Sequence, residues 1–332
     1  MKVKAYQTGF SLIEIMIALL IGAFLLGGVL QIFMGSKQTY KMQENLSRLQ
    51  ENGRLAMDFL ANDIRMVGYQ GCPSLRRVTP NVIAGIPILT ENTFVFGAEN
   101  IAANWNANAC IADSGADKCI ATTDAISLIY SESCGANLTT TMADVNADIR
   151  IPSTNSCSNS ANKALVVSNC IASDIFRSTN DASTSIEHSA LNTIYGRDAE
   201  LFIFRAYSYF IRESTSGSPV RSLWRLDNTK EKSSSNPVEL IEGIDNMQIV
   251  YGVDTNEDST ANYYVPANNV TTASWLNVVS VRISLLATTL DNNLTTQPLP
   301  YVFNGITTTP PITDHKIRRV FTTTIALRNR LP

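Results

Sequence analysis

Gly9-Phe10-Ser11-Leu12-Ile13-Glu14-Ile15-Met16-Ile17-Ala18-Leu19-Leu20-Ile21-Gly22-Ala23-Phe24-Leu25-Leu26-Gly27-Gly28-Val29-Leu30-Gln31-Ile32-Phe33 is the stretch on which the fold turns. Between residues 10 and 33 only Ser11, Glu14 and Gln31 are strongly polar. At about 1.5 Å per helical residue the run is long enough to cross a hydrocarbon core of about 30 Å, so it predicts a membrane-spanning helix. Glu14 is out of place there. An ionisable group inside a span costs about 2.5–3.5 kcal/mol or more unless it snorkels toward the headgroups or meets a partner.

The residues ahead of the span are equally informative. A secretory signal peptide has a basic start, a short apolar core and a small-residue cleavage site after that core. Here Lys2 and Lys4 supply the basic start, but the small residue Gly9 precedes the apolar run. This order, a short basic leader followed by Gly9-Phe10-Ser11-Leu12-Ile13-Glu14, resembles the class III leader of type IV pilins and type II secretion pseudopilins. The resemblance implies cleavage between Gly9 and Phe10 by a prepilin peptidase, N-methylation of Phe10, and retention of the apolar helix in the mature subunit. It also implies an assembly role for Glu14, the fifth residue of the mature chain, opposite the new α-amino group of a neighbouring subunit. Two opposite charges that are both poorly solvated relieve each other's desolvation. Loss of the leader removes two lysines and makes the formal charge of −3 more negative by two units.

With 332 residues, 45% of them apolar and 17% charged, the chain can bury a sizeable core as one large domain or two small ones. No basic cluster exceeds the pairs Arg76-Arg77 and Arg318-Arg319, so a nucleic-acid partner is not expected. The chain holds no Gly-x-Ser-x-Gly, Walker loop, dinucleotide fingerprint or His-Glu-x-x-His, and only two histidines, His188 and His315. Asp124 and Asp198 precede strands and read as caps or turn residues. No catalytic residue is assigned, and no enzyme activity is expected.

All six cysteines, Cys72, Cys110, Cys119, Cys134, Cys157 and Cys170, follow the apolar span. An even count in a region expected outside the cytoplasm favours three disulfides over a metal cluster, since no Cys-x-x-Cys occurs. Cys157 and Cys170 bracket a short strand, residues 163–168, and are the first choice for a local bridge.

Beyond the span, residues 34–67 continue as an amphipathic helix. Met42, Leu46, Leu49, Gly53, Ala56, Leu60, Ile64 and Val67 recur at steps of three and four along one stripe. No proline interrupts residues 10–67, so a nearly continuous helix is expected, stopped by Gly68, Gly71 and Pro73. Gly22, Gly27, Gly28 and Gly35 have two readings: close helix packing or local melting in a filament, or the ordinary glycine content of membrane helices. The run Leu60, Asp63, Ile64, Arg65, Gly68, Tyr69, Gly71 and Cys72 resembles the segment that follows the long helix in PilW-family minor pilins. Asp63 and Arg65 read as structural charges.

Residues 93–96, 124–130 and 163–168 look like strands in an Asn-, Ser- and Thr-rich region. The C-terminal part is more regular: a strand at 201–211, a polar turn over 213–219, a strand at 222–226, a turn at Gly243, then strands to 251, over 275–286 and over 319–327. A helix followed by short strands is an α+β protein, here a long N-terminal helix packed on an antiparallel sheet with a disulfide-rich insertion. The order of Leu223-Trp224-Arg225, residues 239–244, residues 251–254, residues 275–286 and Arg318-Arg319-Val320-Phe321 also resembles the PilW family. The expected divisions are a leader (1–9), an assembly helix (10–33), its amphipathic continuation (34–71), a cysteine-rich variable region (72–192) and a C-terminal sheet (193–332).

In a loop between strands, Asp254, Asn256 and Asp258 place three oxygen-bearing side chains at alternate positions, a calcium candidate. An EF-hand starting there would need glycine at Ser259 and glutamate at Val265, and a solvated hairpin tip is the plainer reading. No other cofactor is expected. By resemblance the chain is a minor pilin of a type IV pilus, held in the inner membrane with its C-terminal domain in the periplasm. Its implied partners are other minor pilins, the major pilin, prepilin peptidase and a tip adhesin. A J-type pseudopilin of type II secretion, and a membrane-anchored calcium-dependent adhesin or periplasmic enzyme, are the alternatives.

Overall fold

A computed structural model describes residues 9, 11–75, 77–83, 94–103, 105–106, 108–110, 118–157, 162–180, 182–216, 220–231, 233 and 235–330. Helix α1 (Leu12–Met66) runs unbroken for 55 residues, about 82 Å. It stops where Val67 leaves helical backbone and Gly68 follows at φ 75°. Every residue from 11 to 43 except Gly22 is exposed, whereas Asn45, Leu49, Gly53, Ala56, Leu60, Ala61 and Ile64 are buried. The inward stripe therefore begins later than expected. Met42 is exposed and Leu46 only half-buried, because the domain meets the helix there with a polar loop. Asn45 takes the inner position instead, donating from Nδ2 to Asp291 Oδ2 at 3.2 Å and accepting from the Asp291 amide at 3.3 Å.

The strands are β1 (Asn81–Val82), β2 (Val95–Ala98), β3 (Ala125–Asn137), β4 (Ile149–Arg150), β5 (Ala164–Ser168), β6 (Ser173–Arg177), β7 (Ser185–Ile186) and β8 (Glu200–Glu213). They continue with β9 (Arg221–Asp227), β10 (Val238–Glu242), β11 (Ile244–Val253), β12 (Tyr263–Val265), β13 (Val278–Thr288), β14 (Tyr301–Phe303), β15 (Ile306–Thr308) and β16 (Arg318–Ala326). Eight form one sheet, ordered β1-β6-β5-β8-β3-β2, with β9 also on β8 and β10 on β9. A second sheet runs β12-β11-β13-β16. All pairings in both are antiparallel except β1 with β6.

The C-terminal strands do not make the single antiparallel set expected from their order. They divide between the two sheets at Gly243, which ends β10 and starts β11. Gly243 stands at φ 80°, its N–H donates to the Arg221 carbonyl at 2.8 Å, and its own carbonyl accepts from the Thr288 amide at 2.8 Å. A Cβ there would press on the Thr288 carbonyl oxygen at 2.9 Å, so a positive φ and a close backbone approach both call for glycine. Strand limits also moved. The strand expected at 93–96 is Val95–Ala98, with Thr93 outside the described residues, and β3 runs seven residues past Tyr130. Residues 273–277 form a 3-10 turn ahead of β13.

The lower half of α1 shares one core with both sheets: Leu49, Ala56, Leu60 and Ile64 cluster with Ile126, Tyr209, Met247, Val281, Ile283 and Ile325. The cysteine-bearing stretch packs a second core around Ile149, Phe176, Tyr195 and Leu201. Helix and second sheet meet tightly at Gly53, where an added Cβ would overlap the Phe321 ring. Gly53→Leu is therefore expected to destabilise the domain by about 1–3 kcal/mol, although leucine is the better helix former. Urea melts of the detergent-solubilised protein would measure this, and an unchanged midpoint would mean the interface repacks freely.

Candidate functional site

The exposed half of α1 is the part of the molecule that its own fold leaves unfinished. Leu12, Phe24, Ile32 and Met34 are 76%, 83%, 72% and 69% exposed, and none of the most hydropathic window of the helix is buried. Contiguous apolar surface on this scale needs a bilayer or other helices to cover it. Glu14 lies in the first helical turn, exposed. There a carboxylate complements the unpaired N–H groups of the helix start. Gly9 is exposed, and Phe10 lies outside the described residues. Nothing within 4 Å would meet a Cβ at Gly22, Gly27, Gly28 or Gly35, which leaves shallow positions along the shaft for a neighbouring helix.

The other half of α1 is held in a polar and apolar seat. Asp63, on the last turn, accepts from Tyr130 Oη at 2.9 Å and from Tyr209 Oη, and Arg225 Nη1 stands 3.9 Å from it. Arg225 in turn lies over the Tyr207 ring at 4.4 Å. Burial first, and then the Asp63 charge, push the Tyr130 and Tyr209 phenols well above their ordinary range, so both remain donors. Beyond the helix end, Asn329 Nδ2 donates to the Arg65 carbonyl at 3.0 Å, while the Arg65 side chain is exposed. The segment carrying Asn329 thus closes over the last turn. Asp63 was legible in the sequence as a structural charge. Its partners were not, although Tyr207 and Tyr209 recur on one face of an alternating strand.

Three disulfides tie the loops together: Cys72–Cys170, Cys110–Cys119 and Cys134–Cys157. The expected Cys157–Cys170 bridge does not form. These two cysteines flank β5, and an extended strand of five residues at about 3.3 Å each carries its flanks to opposite ends. Cys170, at the turn into β6, instead reaches the segment just past α1.

The calcium candidates are engaged in two separate turns. Buried Asp254 accepts from the amides of Asn256, Glu257 and Ser259 at 3.1, 2.7 and 2.9 Å. At the exposed tip Asn256 Nδ2 donates to Asp258 Oδ2 at 3.0 Å. Among the described residues no group of three or more His, Cys, Asp or Glu is arranged to hold a metal ion. Asp198, the other capping candidate, accepts from Asn169 Nδ2 at 3.0 Å.

Asp124 latches the two sheets. Its amide donates to the Met247 carbonyl at 2.9 Å, and its carboxylate accepts from the amides of Asn100 at 3.0 Å and Ile249 at 2.7 Å. Burial outweighs these bonds and raises its pKa from 3.8 to about 6. Because the folded value lies above the unfolded one, protonation favours the folded chain. That contribution is complete below about pH 3.8 and lost as pH rises through about 6. The stability gap between the protein and its Asp124→Ala variant should thus widen by roughly 2 kcal/mol from pH 7 to pH 4.5 in urea melts. A gap independent of pH would show that this carboxyl does not titrate in the window.

Comparison with known families adds to this geometry. The prokaryotic N-terminal methylation motif matches residues 4–30. A chain that joins this motif, on a long apolar helix, to an α+β domain of antiparallel sheets is a type IV pilin-like protein, a structural component of a pilus. The family model for PilW, type IV pilus-assembly protein W, matches residues 208–329. Together the two matches support a type IV pilus minor pilin of the PilW family. Residues 31–207 lie outside both matches. No curated protein and no solved structure matches the chain.

Proposed function

We propose that this subunit joins an inner-membrane complex of minor pilins that primes pilus assembly and then sits at the pilus tip, where it supports a tip adhesin. The observation that carries the reading is the division of α1: one half seated on its own domain, the other dominated by apolar side chains and uncovered. Prepilin peptidase cuts between Gly9 and Phe10, Phe10 is N-methylated, and the C-terminal domain faces the periplasm. In the membrane the helix packs against those of other minor pilins and the major pilin, with Glu14 meeting a partner's α-amino group. The role is assembly rather than turnover.

Two measurements test this together. Mass spectrometry of the protein isolated from its host should find a chain beginning at Phe10 with one added methyl group, and a deletion strain should lose surface pili. A chain still beginning at Met1, or lacking the whole apolar run, would overturn the processing. Normal pili alongside a secretion defect would move the protein to a type II secretion pseudopilus.

A further inference from the structure

The second sheet gives the domain a pole that faces back along the shaft. Strand β16 rises beside α1, away from the apolar half: Phe321 lies at Gly53, and Asn329, just past the strand, reaches the Arg65 carbonyl. Its antiparallel neighbour β13 therefore descends. Their pairing continues below Thr288 and Arg318, where the Thr289 amide donates to the Ile317 carbonyl at 2.9 Å and the Leu294 amide to the His315 carbonyl at 3.2 Å. Two chain reversals follow at this lower end. Residues 295–300 turn the chain up into β14, and the hairpin tip climbs to Gln248, where Asn304 Nδ2 donates to Gln248 Oε1 at 3.4 Å. Strand β15 brings it down again, and a turn closed by the Asp314 amide on the Pro311 carbonyl at 2.9 Å sends it into β16.

The height of this pole is fixed to the helix. Asp291 pairs with Lys41 at 3.2 Å and bonds Asn45, while Asn292 Nδ2 donates to the Thr313 carbonyl at 2.9 Å and its Oδ1 accepts from the His315 amide at 2.7 Å. Lys37 is the first charged residue beyond the apolar run. Lys41 stands one turn further on, about 6 Å along the axis. The headgroup layer on each side of the hydrocarbon core is about 5–8 Å deep. The pole thus lies at the outer edge of that layer, and a shaft tilt of about 20°, ordinary for a spanning helix, lowers one side of the domain into it.

What the pole exposes suits this place. Ile312, central in the lower turn, is 82% exposed and Leu299, in the other reversal, 45%, with Pro300 and Pro311 exposed next to them in the chain. The carboxylates at this end are taken, Asp291 by Lys41 and Asp314 by Arg318 at 2.6 Å. One exposed apolar side chain is ordinary. Here both reversals carry one, at the end of the domain that the shaft holds next to the bilayer. We propose that this pole seats on the lipid surface of the membrane that the shaft crosses, with Ile312 and Leu299 entering the boundary between headgroups and acyl chains. The inference rests on the reading of residues 10–33 as a membrane span. It gives the unassembled subunit a fixed stance on the bilayer, which entry into a filament must break.

The test adds one tryptophan, as Ile312→Trp or for comparison Ile171→Trp, to the full-length chain in vesicles of phosphatidylethanolamine and phosphatidylglycerol, with or without bromine on the acyl chains. Ile171 is equally exposed, at 82%, but lies on the β5–β6 turn beside Cys170, which is bridged to Cys72 beyond the far end of α1. The emission that Ile312→Trp adds to that of the three native tryptophans should fall by about half on brominated lipid, as for a side chain seated about 5–10 Å into the boundary. That of Ile171→Trp should not change. Adding Leu299→Asp to Ile312→Trp should restore most of the lost emission, since a carboxylate opposes seating. Equal quenching at the two positions, no quenching of Ile312→Trp, or quenching that Leu299→Asp leaves intact would overturn the proposal. Flotation with the vesicles reports the span separately: a chain that does not float removes span and pole together, whereas one that floats without quenching of Ile312→Trp removes the pole alone.

Discussion

Replacing Glu14 with alanine is expected to leave synthesis, leader cleavage and membrane insertion intact while sharply reducing incorporation and surface piliation. The physical argument is differential. In the lone subunit the carboxylate is a burden, since a charge near the bilayer costs several kcal/mol and alanine removes that cost. Free subunits of the variant should therefore accumulate at least as well as the parent. In the assembly we propose, the same carboxylate would offset a neighbour's amine, and loss of one partner of a poorly solvated pair costs about 3 kcal/mol. At about 1.4 kcal/mol per tenfold, this corresponds to more than a hundredfold weaker contact. Glu14→Gln, which keeps shape and hydrogen bonding without charge, should resemble alanine. Pilus counts by electron microscopy, with immunoblots of processed subunit, would check this, and normal pili from either strain would remove Glu14 from the assembly step.

The second large effect belongs to Cys72–Cys170. This bridge links the segment just past α1 to the β5–β6 turn across 98 residues. Closing a loop of that length in the unfolded chain is worth about 4–5 kcal/mol in the chain-entropy account, against about 3 kcal/mol for a loop of some 15 residues. The double variant Cys72→Ser/Cys170→Ser should accordingly lose much more stability than Cys110→Ser/Cys119→Ser, whose bridge spans 9 residues. Equal losses in urea melts would mean that local packing, not loop closure, sets the value of each bridge. Loss of the long bridge also frees β5 and β6 from the helix end, so it should raise protease sensitivity in the cysteine-bearing stretch first.

How much could be read in advance depended on the range of each interaction. The leader order, the apolar run and the stripe Leu49, Gly53, Ala56, Leu60 and Ile64 are periodic over a few residues, and periodicity is written directly in the chain. The strands β5, β8, β9, β13 and β16 announced themselves through β-branched and aromatic runs. Short strands such as β4, β7, β14 and β15 did not, because two or three residues hold too little pattern to separate them from loops. Met42 was placed on the inward stripe by spacing alone, and the domain loop carrying Asp291 gave that place to Asn45.

By itself, then, the order of residues determined that this is a rod with a processed-leader signature and an α+β head, since these follow from hydrophobic spacing along the backbone. The tertiary structure alone decided which cysteines meet, where the sheets divide, and that Asp63 is answered by Tyr130, Tyr209 and Arg225. The Asp63 contacts join segments 67 to 162 residues apart, the bridges span 98, 9 and 23 residues, and the division of the sheets rests on one glycine with its backbone turned at Gly243. Local preference is silent about such pairings because their energies arise only once the strands are side by side.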